Sequence, residues 1–150
     1  MFALMISPWD VKPFMISTIL CTIDFTDASK DALRWAVNIS RQLKTHLTVL
    51  YVYRLLNGEP VKNGQAVQMK RKLEEDAKTK FASLEKEVLE GQGVVYDFIT
   101  EVGFVTDRIA DHAKNKSVRF LVMDKNMGAG SRESYDELIK HIDVPLVIVP

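Results

Sequence analysis

The sequence predicts an α/β protein built on an open, doubly wound, five-stranded parallel sheet with helices on both faces. From residue 16 onward, apolar segments of period 2 alternate with segments of period 3.6, in the order βαβαβαβαβ. The strand segments are apolar almost throughout, which is typical of strands covered on both faces. Because strands that alternate with helices are joined by right-handed crossovers, we expect the strands to run parallel.

The first strand and helix are predicted from a β-branched apolar run and a helical stripe. Residues 18–23 form a short apolar segment typical of a buried strand. Thr26 and Asp27 follow it and are suitable helix N-caps. Steps of three and four residues place one apolar helix face on Ala28, Ala32, Trp35, Ala36, Ile39 and Leu43. Residues 47–53 are predicted to be the second strand.

A long helix over residues 65–89 is predicted next, after breaks at residues 57–60 and 63–64. Its apolar stripe consists of Met69, Leu73, Ala77, Phe81, Leu84 and Val88. Two acidic residues each stand four positions before a lysine, which predicts the ion pairs Glu74/Lys78 and Asp76/Lys80 on the outer face. The basic run 70–72 precedes three acidic residues, which favours a solvated helix face over a nucleic-acid patch.

Three strands and two shorter helices complete the pattern. The strands are predicted at residues 94–100, 120–123 and 146–149, and the helices at residues 105–116 and 132–141. Gly103 provides the turn after the third strand, and Ser131 caps the last helix.

Length and charge limit the classes of partner. The chain has 150 residues, 47% apolar and 27% charged, which agrees with one globular domain. Its 20 basic and 20 acidic residues give a formal net charge of zero. We therefore expect neither nucleic acid nor a membrane as a partner. The apolar run 2–6 is too short to span a bilayer.

Residues 1–14 are predicted to be a loose N-terminal extension, and residues 15–150 the folded domain. The extension has no sustained period, and chain termini are usually loose. Trp9 and Phe14 keep open the alternative of an arm that docks on the domain or on a partner. The single cysteine, Cys21, lies in the first strand and cannot form an intrachain disulfide. This agrees with a cytoplasmic location.

Polar residues after two of the strands mark the sheet edge where a ligand would bind. In an open parallel sheet, ligands lie beyond the carboxyl ends of the strands, where the strand order reverses. The residues there are Asp24 and Thr26 after the first strand, and Asp124, Gly128, Gly130 and Ser131 after the fourth. Such a glycine loop before a helix can hold an anion, but a flexible loop with a serine cap is the alternative. The sequence has no Walker-type loop and no nucleophile elbow.

Several segments, taken in order, resemble the universal stress protein family. Residues 22–33 are similar to the strand-to-helix signature that opens these domains, and residues 47–52 to their second strand. Residues 120–123 and 144–149 resemble the last two strands. The resemblance covers residues 15–150. It implies a sheet of order 3-2-1-4-5, usually in a dimer, and many members bind ATP or a related adenine nucleotide.

The resemblance also implies roles for the site residues. Asp24 would contact the ribose or adenine side, Val52 the adenine, and Met123 the floor of the pocket, with Thr26 beside them. Each has a structural alternative: Asp24 could cap a local turn, and Val52 and Met123 could belong to the core.

The phosphate side departs from the family's pattern. Binding members carry a G-x2-G-x9-G-[ST] loop after the fourth strand, but Asp124 stands where its first glycine is expected. The segment is also several residues too short, so Gly128, Gly130 and Ser131 are a contracted substitute. Asp24 and Asp124 end adjacent strands in the implied order, and two carboxylates there repel phosphates unless a cation or proton intervenes.

We therefore expect a cytoplasmic, non-catalytic regulatory or stress-response module with weak or lost ATP binding. The alternative is a functional AMP- or ATP-binding protein with slow hydrolysis. An adenine nucleotide is the one cofactor that the resemblance implies. The segment from Val144 to Val149 is apolar on both faces and lies at a sheet edge in the implied order. Pairing with the same strand of a second copy would cover this edge, which predicts a homodimer. The alternative is that residues 1–14 cover this edge.

Overall fold

A computed structural model describes residues 17–55, 63–115, 117–126 and 135–150. Residues 1–14, Gly128, Gly130 and Ser131 therefore lie outside the described part. The strands are β1 (Thr18–Ile23), β2 (His46–Tyr53), β3 (Tyr96–Val102), β4 (Val118–Asp124) and β5 (Leu146–Val149). The helices are α1 (Asp27–Leu43), α2 (Asn63–Leu84, continued by a π-helical turn at Glu85–Leu89), α3 (Val105–Ala113) and α4 (Tyr135–Lys140).

The five strands form one parallel sheet in the order β3-β2-β1-β4-β5, which confirms the predicted fold. β1 is central: Cys21 pairs with Val49 of β2 on one side and with Val122 of β4 on the other. β2 and β3 lie on one side of β1, and β4 and β5 lie on the other, so the strand order reverses between β1 and β4. The carboxyl ends of these two strands are therefore the expected place for a ligand.

Alternation along each strand gives the sheet two buried faces. Ile19, Cys21 and Val122 point to the face covered by α1 and α2. Leu20 and Leu121 point to the opposite face, where they pack with side chains of α3 and α4. Cys21 is completely buried, and this burial raises the pKa of its thiol well above the usual range. The predicted role of Cys21 as a buried strand residue is confirmed.

Helix α1 begins at a capped N-terminus and ends in a left-handed residue. The Thr26 hydroxyl accepts a hydrogen bond from the Ser29 amide, as the sequence predicted for a cap. Lys44 follows the helix with a φ of 55°. The predicted inward face is correct for Ala32 and Ala36 but wrong for Leu43, which is 45% exposed. Leu33, Val37 and two small serines, Ser29 and Ser40, take the inward positions instead.

The ion pairs predicted on the outer face of helix α2 are wrong, because Glu74 and Lys80 have other partners. Glu74 does not turn outward to Lys78; its Oε2 accepts a hydrogen bond from the Tyr53 hydroxyl at 2.8 Å. Lys80 lies over the ring of Phe25 instead of pairing with Asp76. The π-helical turn at the end of α2 buries both Val88 and Leu89. Among the described residues, no helix combines the length and the apolar character that crossing a membrane requires.

Candidate functional site

The turn between β1 and α1 is closed by its own side chains. Asp24 Oδ1 accepts hydrogen bonds from the Thr26 amide at 3.1 Å and from the Thr26 hydroxyl. Ser29 Oγ accepts a hydrogen bond from the Asp24 amide at 3.2 Å and donates to the Thr26 carbonyl at 3.1 Å. Asp24 thus caps a local turn, and one of its carboxylate oxygens is occupied by that task.

Phe25 holds the turn in an uncommon backbone conformation. Its φ of 64° lies in the left-handed region, which side chains with a Cβ rarely adopt. The ring centroid of Phe25 lies 4.9 Å from that of Tyr51 and 6.4 Å from that of Phe98. The ring is therefore held against the sheet, and this packing offsets the backbone strain.

Phe25 extends a layer of aromatic side chains between the sheet and α2. Phe81 of α2 stacks on Phe98 of β3 with ring centroids 4.0 Å apart, and Tyr51 stacks on Tyr53 along β2 at 6.0 Å. Burial raises the pKa of Tyr51, and the nearby charge of Asp24 raises it further. The Asp24 carboxylate therefore influences the ionisation of Tyr51 in this layer, in addition to capping its own turn.

A groove of about 420 Å³ opens between this turn, α1 and α2. This volume is within the usual range for a small-molecule site. The groove is lined by Asp24, Phe25, Thr26 and Ser29 from the turn and the start of α1, by Lys30, and by Lys80, Ser83, Leu84 and Glu87 from α2 and its π-helical turn. The groove thus combines one aromatic ring, hydroxyl groups and charges of both signs.

The charged side chains that line the groove differ in whether they form ion pairs. Glu87 is engaged twice, by Lys30 Nζ at 3.1 Å and by Arg34 Nη2 at 2.8 Å. These two cations lower the pKa of the Glu87 carboxyl, chiefly through its hydrogen bond with Lys30. Lys80 Nζ lies 5.7 Å from the centroid of the Phe25 ring. Within the described ranges, no carboxylate comes within ion-pair distance of Lys80.

The residues at the end of β4 are more deeply buried than those of the β1–α1 turn. Asp124, the last residue of β4, is completely buried, and its Oδ1 accepts a hydrogen bond from the Asn126 amide at 2.7 Å. Met123 is buried in the core, and Val52 is half-buried against the same apolar cluster. Because β1 and β4 are parallel neighbours, Asp24 and Asp124 follow or end adjacent strands, as predicted.

The structure brings together some of the predicted site residues. Asp24 and Thr26 are in direct contact, whereas Met123 and Val52 belong to the apolar cluster on the face of the sheet that α3 and α4 cover. Sequence reasoning missed Phe25, Lys80 and Ser83. Phe25 carries no local signal for a left-handed backbone, and Lys80 is one of several lysines on a charged helix face.

Another groove, of about 410 Å³, lies between α3 and α4. Its polar lining includes Asp107 and Lys114 from α3 and Glu137 from α4, and it shares no residue with the β1–α1 turn. Among the described residues, no group of three His, Cys, Asp or Glu side chains is arranged to hold a metal ion.

Comparison with known proteins gives one consistent result. Residues 15–150 match the Universal stress protein family. Comparison with curated protein sequences gives no match.

Solved structures share the architecture. The universal stress protein UspA from Lactobacillus plantarum is 18% identical, with a TM-score of 0.69 over 90% of this chain and 98% of that one. A universal stress protein from Archaeoglobus fulgidus in complex with dAMP is 19% identical, with a TM-score of 0.59 over 91% and 99%. A universal stress protein in complex with cAMP is 18% identical, with a TM-score of 0.56 over 90% and 97%. At these identities the likeness establishes the fold.

Proposed function

Because this chain belongs to the universal stress protein family, we propose that it is a non-catalytic regulatory module of the stress response that binds adenosine or AMP in preference to ATP. The site we propose is the edge formed by the β1–α1 turn and the end of β4. It includes Asp24, Thr26, Val52 and the contracted loop with Gly128, Gly130 and Ser131. Met123 forms its floor from within the core.

The observation that carries this proposal is the buried carboxylate of Asp124 at the end of β4. A buried negative charge is weakly screened, so each phosphate group added to a ligand at this edge is repelled more strongly than in water. Asp24 adds a second carboxylate directly after the neighbouring strand, β1. A nucleoside or monophosphate meets less of this repulsion than a triphosphate does.

Two neighbours in structure support the ligand class. They are complexes with dAMP and cAMP, and both ligands carry a single phosphate group. The second candidate function is an ATP-binding protein with slow hydrolysis, which would require a divalent cation to offset Asp24 and Asp124.

Calorimetric titration with adenosine, AMP and ATP, without divalent cations, tests the proposal. We expect adenosine and AMP to bind and ATP to bind more weakly than AMP. Asp124→Asn should narrow the gap between AMP and ATP, whereas the matched control Asp136→Asn, at an exposed position of α4, should leave it unchanged. Tighter binding of ATP than of AMP by the unaltered protein contradicts the proposal and favours the second candidate.

We also propose a cytoplasmic homodimer that pairs through β5. This strand is at the edge of the sheet, and Ile148 is 39% exposed there. Pro145 and Pro150 lack amide donors and limit the pairing to the residues between them. Sedimentation of the full chain and of a chain starting at Met15 tests this. Monomers in both samples contradict strand pairing, and a dimer seen only after truncation shows that residues 1–14 cover the edge.

A further inference from the structure

We propose that the groove between α1 and α2 binds the phosphate group of a nucleoside monophosphate, and that Lys80 is the residue that selects it. This inference rests on the proposed function, since it places the phosphate of the ligand whose nucleoside part contacts the β1–α1 turn. It assigns the phosphate to the α2 side of Asp24, on the opposite side from Asp124.

The distribution of charge around Asp24 carries this assignment. On the β4 side stands the buried carboxylate of Asp124. On the α2 side, the same groove that contains Asp24 contains the ammonium group of Lys80, while that of Lys30 is paired with Glu87. An anionic group attached to a ligand at Asp24 is therefore attracted towards α2 and repelled from the end of β4.

Both carboxylates of the groove are already engaged by other groups of the chain. Glu87 is bound by Lys30 and Arg34, so its charge is offset by two cations at 3.1 and 2.8 Å. Asp24 Oδ1 accepts two hydrogen bonds from Thr26 within the turn. Lys80 is the groove's cation with no carboxylate at ion-pair distance among the described residues. A phosphate group would supply the anion that Lys80 lacks.

The groove also provides partners for the phosphate and a surface for the rest of the ligand. Lys80 and Ser83 lie three positions apart on α2, which places them on the same side of the helix. The ammonium and hydroxyl groups can therefore both donate to one phosphate group. The Phe25 ring, over which Lys80 lies, lines the groove and provides an apolar surface for the rest of the ligand.

Binding of adenosine and AMP to three forms of the full chain tests the inference. The forms are the unaltered protein, Lys80→Gln and the matched control Lys78→Gln. Lys78 is on the same helix, is exposed and carries the same charge, but it does not line the groove. A charge-assisted contact to phosphate at an exposed site leads us to expect about a tenfold loss of AMP affinity in Lys80→Gln. Adenosine affinity should not change, and Lys80→Arg should restore most of the AMP affinity.

Three other outcomes would each refute either the role of Lys80 or the proposed function. Equal AMP affinity in Lys80→Gln and the unaltered protein refutes the role of Lys80 and leaves the proposed function standing. An equal loss in Lys80→Gln and Lys78→Gln refutes it too, because it shows a general charge effect. If neither adenosine nor AMP binds the unaltered protein, the proposed function fails, and the placement of the phosphate fails with it.

Discussion

Replacing Phe25 separates the strain of its backbone from the packing of its ring. Phe25→Gly and Phe25→Ala both remove the ring contacts with Tyr51 at 4.9 Å and Phe98 at 6.4 Å. The two variants differ in the cost of the φ of 64°. A residue with a Cβ pays roughly 1–2 kcal/mol for this conformation, and glycine does not.

Glycine has its own cost, because its unfolded chain loses more conformational entropy, by about 0.4–1 kcal/mol relative to alanine. At the middle of both ranges, the difference leaves Phe25→Gly more stable than Phe25→Ala by about 0.8 kcal/mol. Both variants should be less stable than the unaltered protein by roughly 2–3 kcal/mol, since a half-buried ring with two aromatic neighbours is lost.

Equilibrium unfolding in urea, followed by circular dichroism, measures these differences. Lys78 in the middle of α2 supplies the control pair, since Lys78→Ala should there be more stable than Lys78→Gly by about 1 kcal/mol. The reasoning is refuted if Phe25→Ala equals or exceeds Phe25→Gly in stability, because the left-handed backbone would then cost no more than the extra conformational entropy of the unfolded glycine chain.

Two further predictions concern stability. Lys44, at a φ of 55° after α1, should gain about 1 kcal/mol in the free energy of unfolding when replaced by glycine, whereas Lys44→Ala should gain nothing; urea unfolding decides this. The hydrogen bond to Glu85 raises the pKa of Tyr96 to about 12 from its ordinary value of 10.0. The contribution of this bond to the free energy of unfolding is therefore fully present below pH 10 and is lost as the pH rises towards 12. Glu85→Gln should lower the pKa of Tyr96 in a spectrophotometric titration, and an unchanged alkaline titration would contradict the assignment.

The sequence predicted the strands well where chemistry changes abruptly at their ends. β1 ends at Ile23, just before Asp24, and β5 lies between Pro145 and Pro150, so both were predicted with the bounds that the structure shows. β3 was displaced by two residues, because Val94 and Val95 continue the apolar run although Val95 is 71% exposed. Apolar character identifies a strand, but only pairing with β2 determines where it begins.

The site was less predictable because its contacts join distant parts of the chain. Asp24 and Thr26 follow a strand and precede a helix, so local pattern was enough to select them. Lys80 becomes special only because α2 lies beside the β1–α1 turn, more than 50 residues earlier in the chain. Glu74 was assigned to an outward ion pair for the same reason, since its partner Tyr53 belongs to β2.

The central position of β1 has a consequence for biosynthesis. β1 leaves the ribosome before the other four strands of the sheet, yet its pairing with β4 joins Thr18 to Val118, about 100 positions later. At a synthesis rate of roughly 5–20 residues per second, one edge of β1 waits on the order of 5–20 s for its permanent neighbour. During that time Ile19, Leu20 and Cys21 present an unpaired apolar edge in the nascent chain. The strand that lies deepest in the finished protein is thus the one that most needs protection while the chain is being made.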